Sequence, residues 1–158
     1  MEKGIGNTFI SWYNKKNRTN YEFNRFGDDP PDLIYTDGRK ILKVEITTEY
    51  YDKRAAQLEW QALRSPDDAS QKWFGVDFDK SLVCNMTKRI AEKCRSTQDS
   101  GTILVVGIYP RLTTNIDFEE MRKDIKFPEH IPFSGIYAGG RFPSSTDTDG
   151  GYFYWQIW

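Results

Sequence analysis

The chain has 158 residues, 22 of them Lys or Arg and 23 Asp or Glu, and the resulting formal charge of −1 announces no nucleic-acid-binding protein by itself. Its length fits one domain over residues 1–158; no apolar run approaches the roughly 20 residues of a membrane span and the N-terminus lacks an apolar signal core, so the expectation is a soluble cytoplasmic protein with no membrane partner. A single histidine, His130, excludes a histidine zinc pair, a His-Cys zinc cluster and a Ser-His-Asp set, which leaves carboxylates and a metal ion as the accessible chemistry.

Residues 2–16 predict a helix in which Ile5, Phe9 and Trp12 recur at helical spacing. Glu2 shares that stripe. It reads either as a solvated acid in the first turn, where the macrodipole favours it, or as an acid turned inward toward the hairpin that follows. Lys15, Lys16 and Arg18 close the helix with positive charge. Tyr21 to Phe26 predict a strand with Tyr21, Phe23 and Arg25 on one face and Glu22, Asn24 and Phe26 on the other, broken by Gly27-Asp28-Asp29-Pro30-Pro31. Pro30 to Thr47 then read as a hairpin about an Asp37-Gly38 turn. Pairing Thr36 with Arg39 sets Asp32 opposite Lys43. Asp32 and Glu45 become diagonal neighbours on a face shared with Lys43 and Thr47, while Leu42, Val44 and Ile46 take the other face. Two carboxylates projecting together repel unless a proton or cation lies between them, and oxygen ligands of this kind suit Mg²⁺ or Mn²⁺.

Tyr51 to Leu63 predict a helix carrying Gln57, followed by a polar loop over 65–70. A longer helix spans Asp79 to Ser96, with Asp79 as its cap and Leu82, Met86 and Ile90 as its buried stripe. Lys93 continues that stripe, either snorkelling outward or bringing a charge to an internal acidic site. Cys84 and Cys94 lie too far apart along this helix to bridge and read as reduced thiols. Thr102 to Tyr109 predict a strand buried on both faces. Asp117 to Lys126 suggest a short helix, His130 sits in a Pro-flanked surface loop, and Phe133 to Ala138 read as a strand. After a turn region over 139–151, Tyr152 to Trp158 form the last strand, with Phe153, Trp155 and Ile157 toward the core. The order describes an α/β fold, a mixed sheet flanked by helices.

Pro31-Asp32, the hairpin, and Glu45-Ile46-Thr47 thirteen positions after Asp32 resemble the PD…(D/E)xK motif of the restriction-endonuclease-like nuclease superfamily. The element order agrees with that superfamily's αβββαβ core. The resemblance implies phosphodiester hydrolysis of nucleic acid, DNA above all, with Mg²⁺ or Mn²⁺ held by Asp32, Glu45 and the Ile46 carbonyl and a third acid from Glu2, with Glu22 as the second choice. It implies catalytic roles for Asp32, Glu45 and the residue at position 47. The motif's lysine is here Thr47, which offers a hydroxyl but no positive charge. Lys93 and Lys43 are the candidates to supply that charge: the shared hairpin face favours Lys43, and the helix stripe with its family-like IAEKC context favours Lys93, the narrow preference; otherwise the site cleaves by metal alone or no longer cleaves.

Candidate nucleic-acid contacts are Lys15, Lys16 and Arg18, together with Lys88, Arg89 and Arg95. The competing reading is a catalytically degenerate binding or immunity-type protein on the same fold. If the C-terminal strand lies at a sheet edge, it offers a homodimer contact or a site for a protein partner.

Overall fold

Every residue of Thr102–Ile108 is buried, a pattern satisfied by a central strand covered on both faces. A computed structural model describes residues 1–49, 78–97, 99–108, 118–141 and 151–158. The expected helix over 51–63 with Gln57, the loop 65–70 and most of the turn region 139–151 lie outside the described residues. In chain order the described elements are α1 (Glu2–Asn17), β1 (Glu22–Phe26), β2 (Leu33–Thr36), β3 (Ile41–Glu49), α2 (Phe78–Ser96), β4 (Thr102–Ile108), α3 (Phe118–Asp124), β5 (Gly135–Arg141) and β6 (Tyr152–Gln156). The strands form one sheet in the order β1-β2-β3-β4-β5-β6. Pairs β3/β4 and β4/β5 are parallel and the rest antiparallel. The protein is a mixed α/β fold with a mixed sheet flanked by helices.

Parallel neighbours need crossovers, and because β3, β4 and β5 advance in one direction, two right-handed crossovers bring their helices to the same face. Leu82, Met86 and Ile90 of α2 and Met121 of α3 accordingly share one buried cluster with Leu104, Val106 and Ile136. The opposite face belongs to α1, whose Phe9 and Ile10 pack with Leu33, Tyr35, Val44, Ile46, Ile103 and Val105. There the Phe9 ring meets Tyr154 edge-on at 5.3 Å, and the Tyr154 hydroxyl is hydrogen-bonded to that of Thr8 at 2.7 Å. Alternation along β3 therefore turns Val44 and Ile46 toward α1, and Glu45 and Thr47 toward α2.

The hairpin register differs from the expected one by two residues. Thr36 pairs with Ile41 rather than Arg39. The turn is wider because the Asp37 carboxylate accepts the amides of Arg39 and Lys40 at 2.8 and 2.6 Å, which stabilises a loop over 37–40. An even shift keeps every side chain on its face, so the pairing of Lys43, Glu45 and Thr47 on one face survives. Extending the observed register sets Asp32 opposite Glu45, not Lys43. In β1 the register slips between Phe23 and Arg25, and this bulge brings Phe26 beside Phe23, rings 5.3 Å apart, where strict alternation separates them.

Smaller differences have equally local causes. Helix α2 begins at Phe78, so Asp79 lies within it and is not its cap. Strand β5 extends to Arg141, past Ala138, because Gly139 and Gly140 let neighbouring backbone come close. A Cβ on either would lie 2.2 Å from a carbonyl oxygen, that of Phe153 or Ile108. In β6 Tyr154 is the fully buried residue, while Phe153 and Trp155 are partly buried against the α2-side cluster that contains Ile157.

The Gly27–Asp32 loop is closed by the Gly27 amide donating to the Asp32 carbonyl at 2.9 Å. A Cβ on Gly27 would lie 1.7 Å from the Pro31 carbonyl oxygen, so any side chain must displace the backbone that carries Asp32. Gly38, at φ 87°, has open space around it. Gly27→Ala is expected to cost about 3 kcal/mol or more, and Gly38→Ala about 1 kcal/mol. Urea denaturation of both variants measures the difference, and equal costs would contradict this account of the loop.

Candidate functional site

Glu45 is only 1% exposed, an acid in the middle of a sheet. One carboxylate oxygen, Oε1, accepts a hydrogen bond from the Lys93 ammonium. The other, Oε2, is buried with no hydrogen-bond partner among the described residues. Lys93 reaches Glu45 because it continues the Leu82-Met86-Ile90 stripe by which α2 packs on the sheet. Lys43 is drawn away instead: its ammonium pairs with Asp99 at 2.5 Å, and that contact holds the Asp99 carboxyl below the usual carboxylate range.

Asp32 stands at the entry to β2, where its Oδ2 accepts the Ile46 amide at 2.7 Å. The same hydrogen bond locks the two halves of the hairpin together beside Glu45. Asp29, on the loop before it, takes the left-handed region at φ 45°, uncommon for a residue with a side chain. One oxygen each from Asp29, Asp32 and Glu45 lies within 4.8 Å of the others. The three grade from exposed through half-buried to buried, so the cluster opens to solvent at Asp29 and closes at Glu45.

Burial pushes the Asp32 carboxyl up to about 6. The Ile46 amide opposes this, the charges of Glu45 and Glu2 add to it, and Lys93 offsets part of it. Glu2 is exposed and acts on Asp32 through its charge, but it stands outside the three-acid cluster. Asp29 takes the third place that Glu2 was expected to fill. Sequence reasoning passed over Asp29 as part of a strand breaker; two acids flanking Pro30-Pro31 were the available signal. Ile46 contributes its amide to Asp32, and Thr47 is buried on the face of Glu45.

Among the described residues, three carboxylates around one lysine leave uncompensated negative charge. Hard oxygen donors, one of them a buried atom with no partner among the described residues, fit a divalent cation such as Mg²⁺ or Mn²⁺, whose bonds to oxygen run about 2.0–2.6 Å across the Mg²⁺ to Ca²⁺ range.

The candidate nucleic-acid contacts are not gathered into one surface. Lys15, Lys16 and Arg18 end α1 on one side of the sheet, with the Lys16 ammonium 4.9 Å from the Trp12 ring centre and Arg18 as the left-handed cap. Lys88 and Arg89 are exposed on α2, on the other side, where Arg89 pairs with Glu92 at 3.1 Å. Comparison with protein-family models, curated proteins and solved structures finds no match to this chain.

Two predictions follow from the charges. The Asp32 carboxyl titrates near 6 in the folded chain against 3.8 ordinarily, so its stabilising contribution is complete below pH 4 and is lost as pH rises through about 6. In EDTA, Asp32→Asn should therefore gain thermal stability over the native chain between pH 4 and pH 7; a constant difference across that window would contradict the shift. Lys93→Met is expected to cost about 3 kcal/mol by leaving a buried charge unpaired, and adding Glu45→Gln to recover most of it. A double variant no more stable than Lys93→Met alone would contradict the pairing.

Proposed function

We propose that this protein is a divalent-metal-dependent nuclease of the restriction-endonuclease-like superfamily, hydrolysing phosphodiester bonds of nucleic acid, with DNA as the substrate. The observation that carries the reading is the convergence of Asp29, Asp32 and Glu45, with Lys93 on one Glu45 oxygen and the other without a partner among the described residues. The succession of hairpin β2–β3, helix α2 and parallel central strand β4 supports it.

Hydrolysis joins a water oxygen to phosphorus and breaks the bond to the leaving oxygen while negative charge builds on the phosphoryl oxygens. A divalent ion, when bound, lowers the pKa of water and acts as a Lewis acid toward the phosphoryl group. Asp29, Asp32 and Glu45 would hold it. The Ile46 amide fixes Asp32, and Lys93 orients Glu45 so that Oε2 remains available. Lys93 also supplies, from α2, the positive charge that the motif places at position 47. Thr47 keeps a hydroxyl able to orient water. Because Asp29 is the exposed member, the phosphate approaches from its side of the cluster. The strand order leaves β6 at one edge of the described sheet, which favours a second copy pairing there as the protein partner.

Calorimetric titration with Mn²⁺ is expected to show binding that Asp32→Ala and Glu45→Ala each weaken by about tenfold or more. In Mn²⁺ the native chain should nick plasmid DNA, and Lys93→Ala should slow that by about a hundredfold. Absence of Mn²⁺ affinity, or cleavage indifferent to Glu45→Ala, would overturn the proposal. Mn²⁺ binding without cleavage of DNA or RNA would favour the catalytically degenerate binding protein instead.

A further inference from the structure

The α2 face of the sheet holds a second polar feature, separate from the acids. Between the end of α2 and the loop after α3 lies a cavity of about 490 Å³ lined by Ala91, Cys94, Arg95, Thr97, Pro128 and His130. Ala91, Cys94 and Arg95 stand at i, i+3 and i+4, so one stripe of the helix forms its wall. Arg95 lies two residues beyond Lys93, about 200° around the helix, and the two cations therefore serve different places.

Thr97 is 4% exposed, and its hydroxyl has no hydrogen-bond partner among the described residues. A buried hydroxyl left in that state costs about 1–3 kcal/mol, which a bound acceptor would relieve. Arg95 and His130 are both exposed. The lining contains no carboxylate among the described residues. Burial pushes the Cys94 thiol up, so it lies in the wall as a neutral group. The cavity thus presents the guanidinium donors and a ring N–H, with the buried Thr97 hydroxyl in its wall and no group of opposite charge among the described residues.

One feature works against an anion here. The end of a helix carries partial negative charge, worth about 0.3–1 kcal/mol near a charged group. The Lys93 carbonyl, however, already accepts the Thr97 amide at 3.0 Å and the Ser96 hydroxyl at 3.2 Å. The full charge and planar donors of Arg95 outweigh what remains. The volume falls within the roughly 300–1,000 Å³ of small-molecule sites, more than a bare inorganic anion needs.

We propose that this cavity binds a phosphate group carried on an organic molecule, with Arg95, His130 and Thr97 donating hydrogen bonds to the phosphate oxygens and Ala91 and Pro128 contacting the organic part. The proposal does not depend on the acidic cluster being a nuclease site.

His130 is the chain's only histidine, so its ring-proton resonances report on the cavity. The full chain is titrated in EDTA, at fixed pH and ionic strength, with inorganic phosphate and with chloride as control. Phosphate should shift the His130 signals saturably and chloride should not. Arg95→Gln should weaken the phosphate effect by about tenfold or more. Thr97→Val should also weaken it while raising the melting temperature of the ligand-free chain, which separates lost binding from lost folding. A thymidine 5′-monophosphate arm and a 5′-phosphorylated oligonucleotide arm follow. Displacement of phosphate by the nucleotide assigns a small phosphate ester, and displacement by the oligonucleotide alone assigns a nucleic-acid phosphate; either supports the site. A non-saturable shift equal to that of chloride, or phosphate binding unchanged in both variants, would overturn it. No metal is present in these titrations, so the result stands whether or not the chain cleaves nucleic acid.

Discussion

A carboxylate buried in the middle of a sheet is the constraint around which this molecule is organised. Glu45 has almost no contact with water, and an ion in that position persists only with a partner of opposite charge. Lys93 is that partner, and its position commits α2 to one rotational setting on the sheet. Leu82, Met86 and Ile90 accept the same setting, so the apolar stripe and the ion pair agree on how the helix lies. The pair uses only one Glu45 oxygen. The other is buried and has no partner among the described residues, a state that apolar packing alone gives no reason to retain.

The rest of the acidic cluster is assembled by backbone. Gly27 permits a chain path that no larger residue allows, the closed loop delivers Asp29 and Asp32 together, and the Ile46 amide ties Asp32 to the strand bearing Glu45. Burial, with the neighbouring like charges adding to it, raises the Asp32 carboxyl, and the cluster as described stays poorly compensated until a proton or a cation intervenes. Positional rigidity and unmet charge together separate this arrangement from acids that merely share a solvated surface.

Much of this was legible in the sequence because side-chain periodicity is robust to errors of register. The alternation along β3 places Lys43, Glu45 and Thr47 together under either hairpin pairing, and the 3.6-residue stripe of α2 leads directly to Lys93. What escaped was set by contacts distant in sequence or by irregular backbone. Lys43 shares the face of Glu45, yet its long stem reaches Asp99, a partner far along the chain that no local pattern reveals. The width of the turn depended on which amides the Asp37 carboxylate accepts, and the Phe23–Phe26 contact on a bulge. Asp29 was hidden because two prolines read as an end to a strand, not as a means of aiming the acids on either side of them.

The central claim is that Asp29, Asp32 and Glu45 form one cation site with Lys93 as its fixed counter-charge. Anomalous diffraction from a crystal soaked in Mn²⁺ tests it most directly. The account predicts a single strong anomalous peak bonded to oxygens of all three acids, with Lys93 still on Glu45. A peak elsewhere on the chain, or an acidic cluster without manganese at saturating concentration, would contradict it.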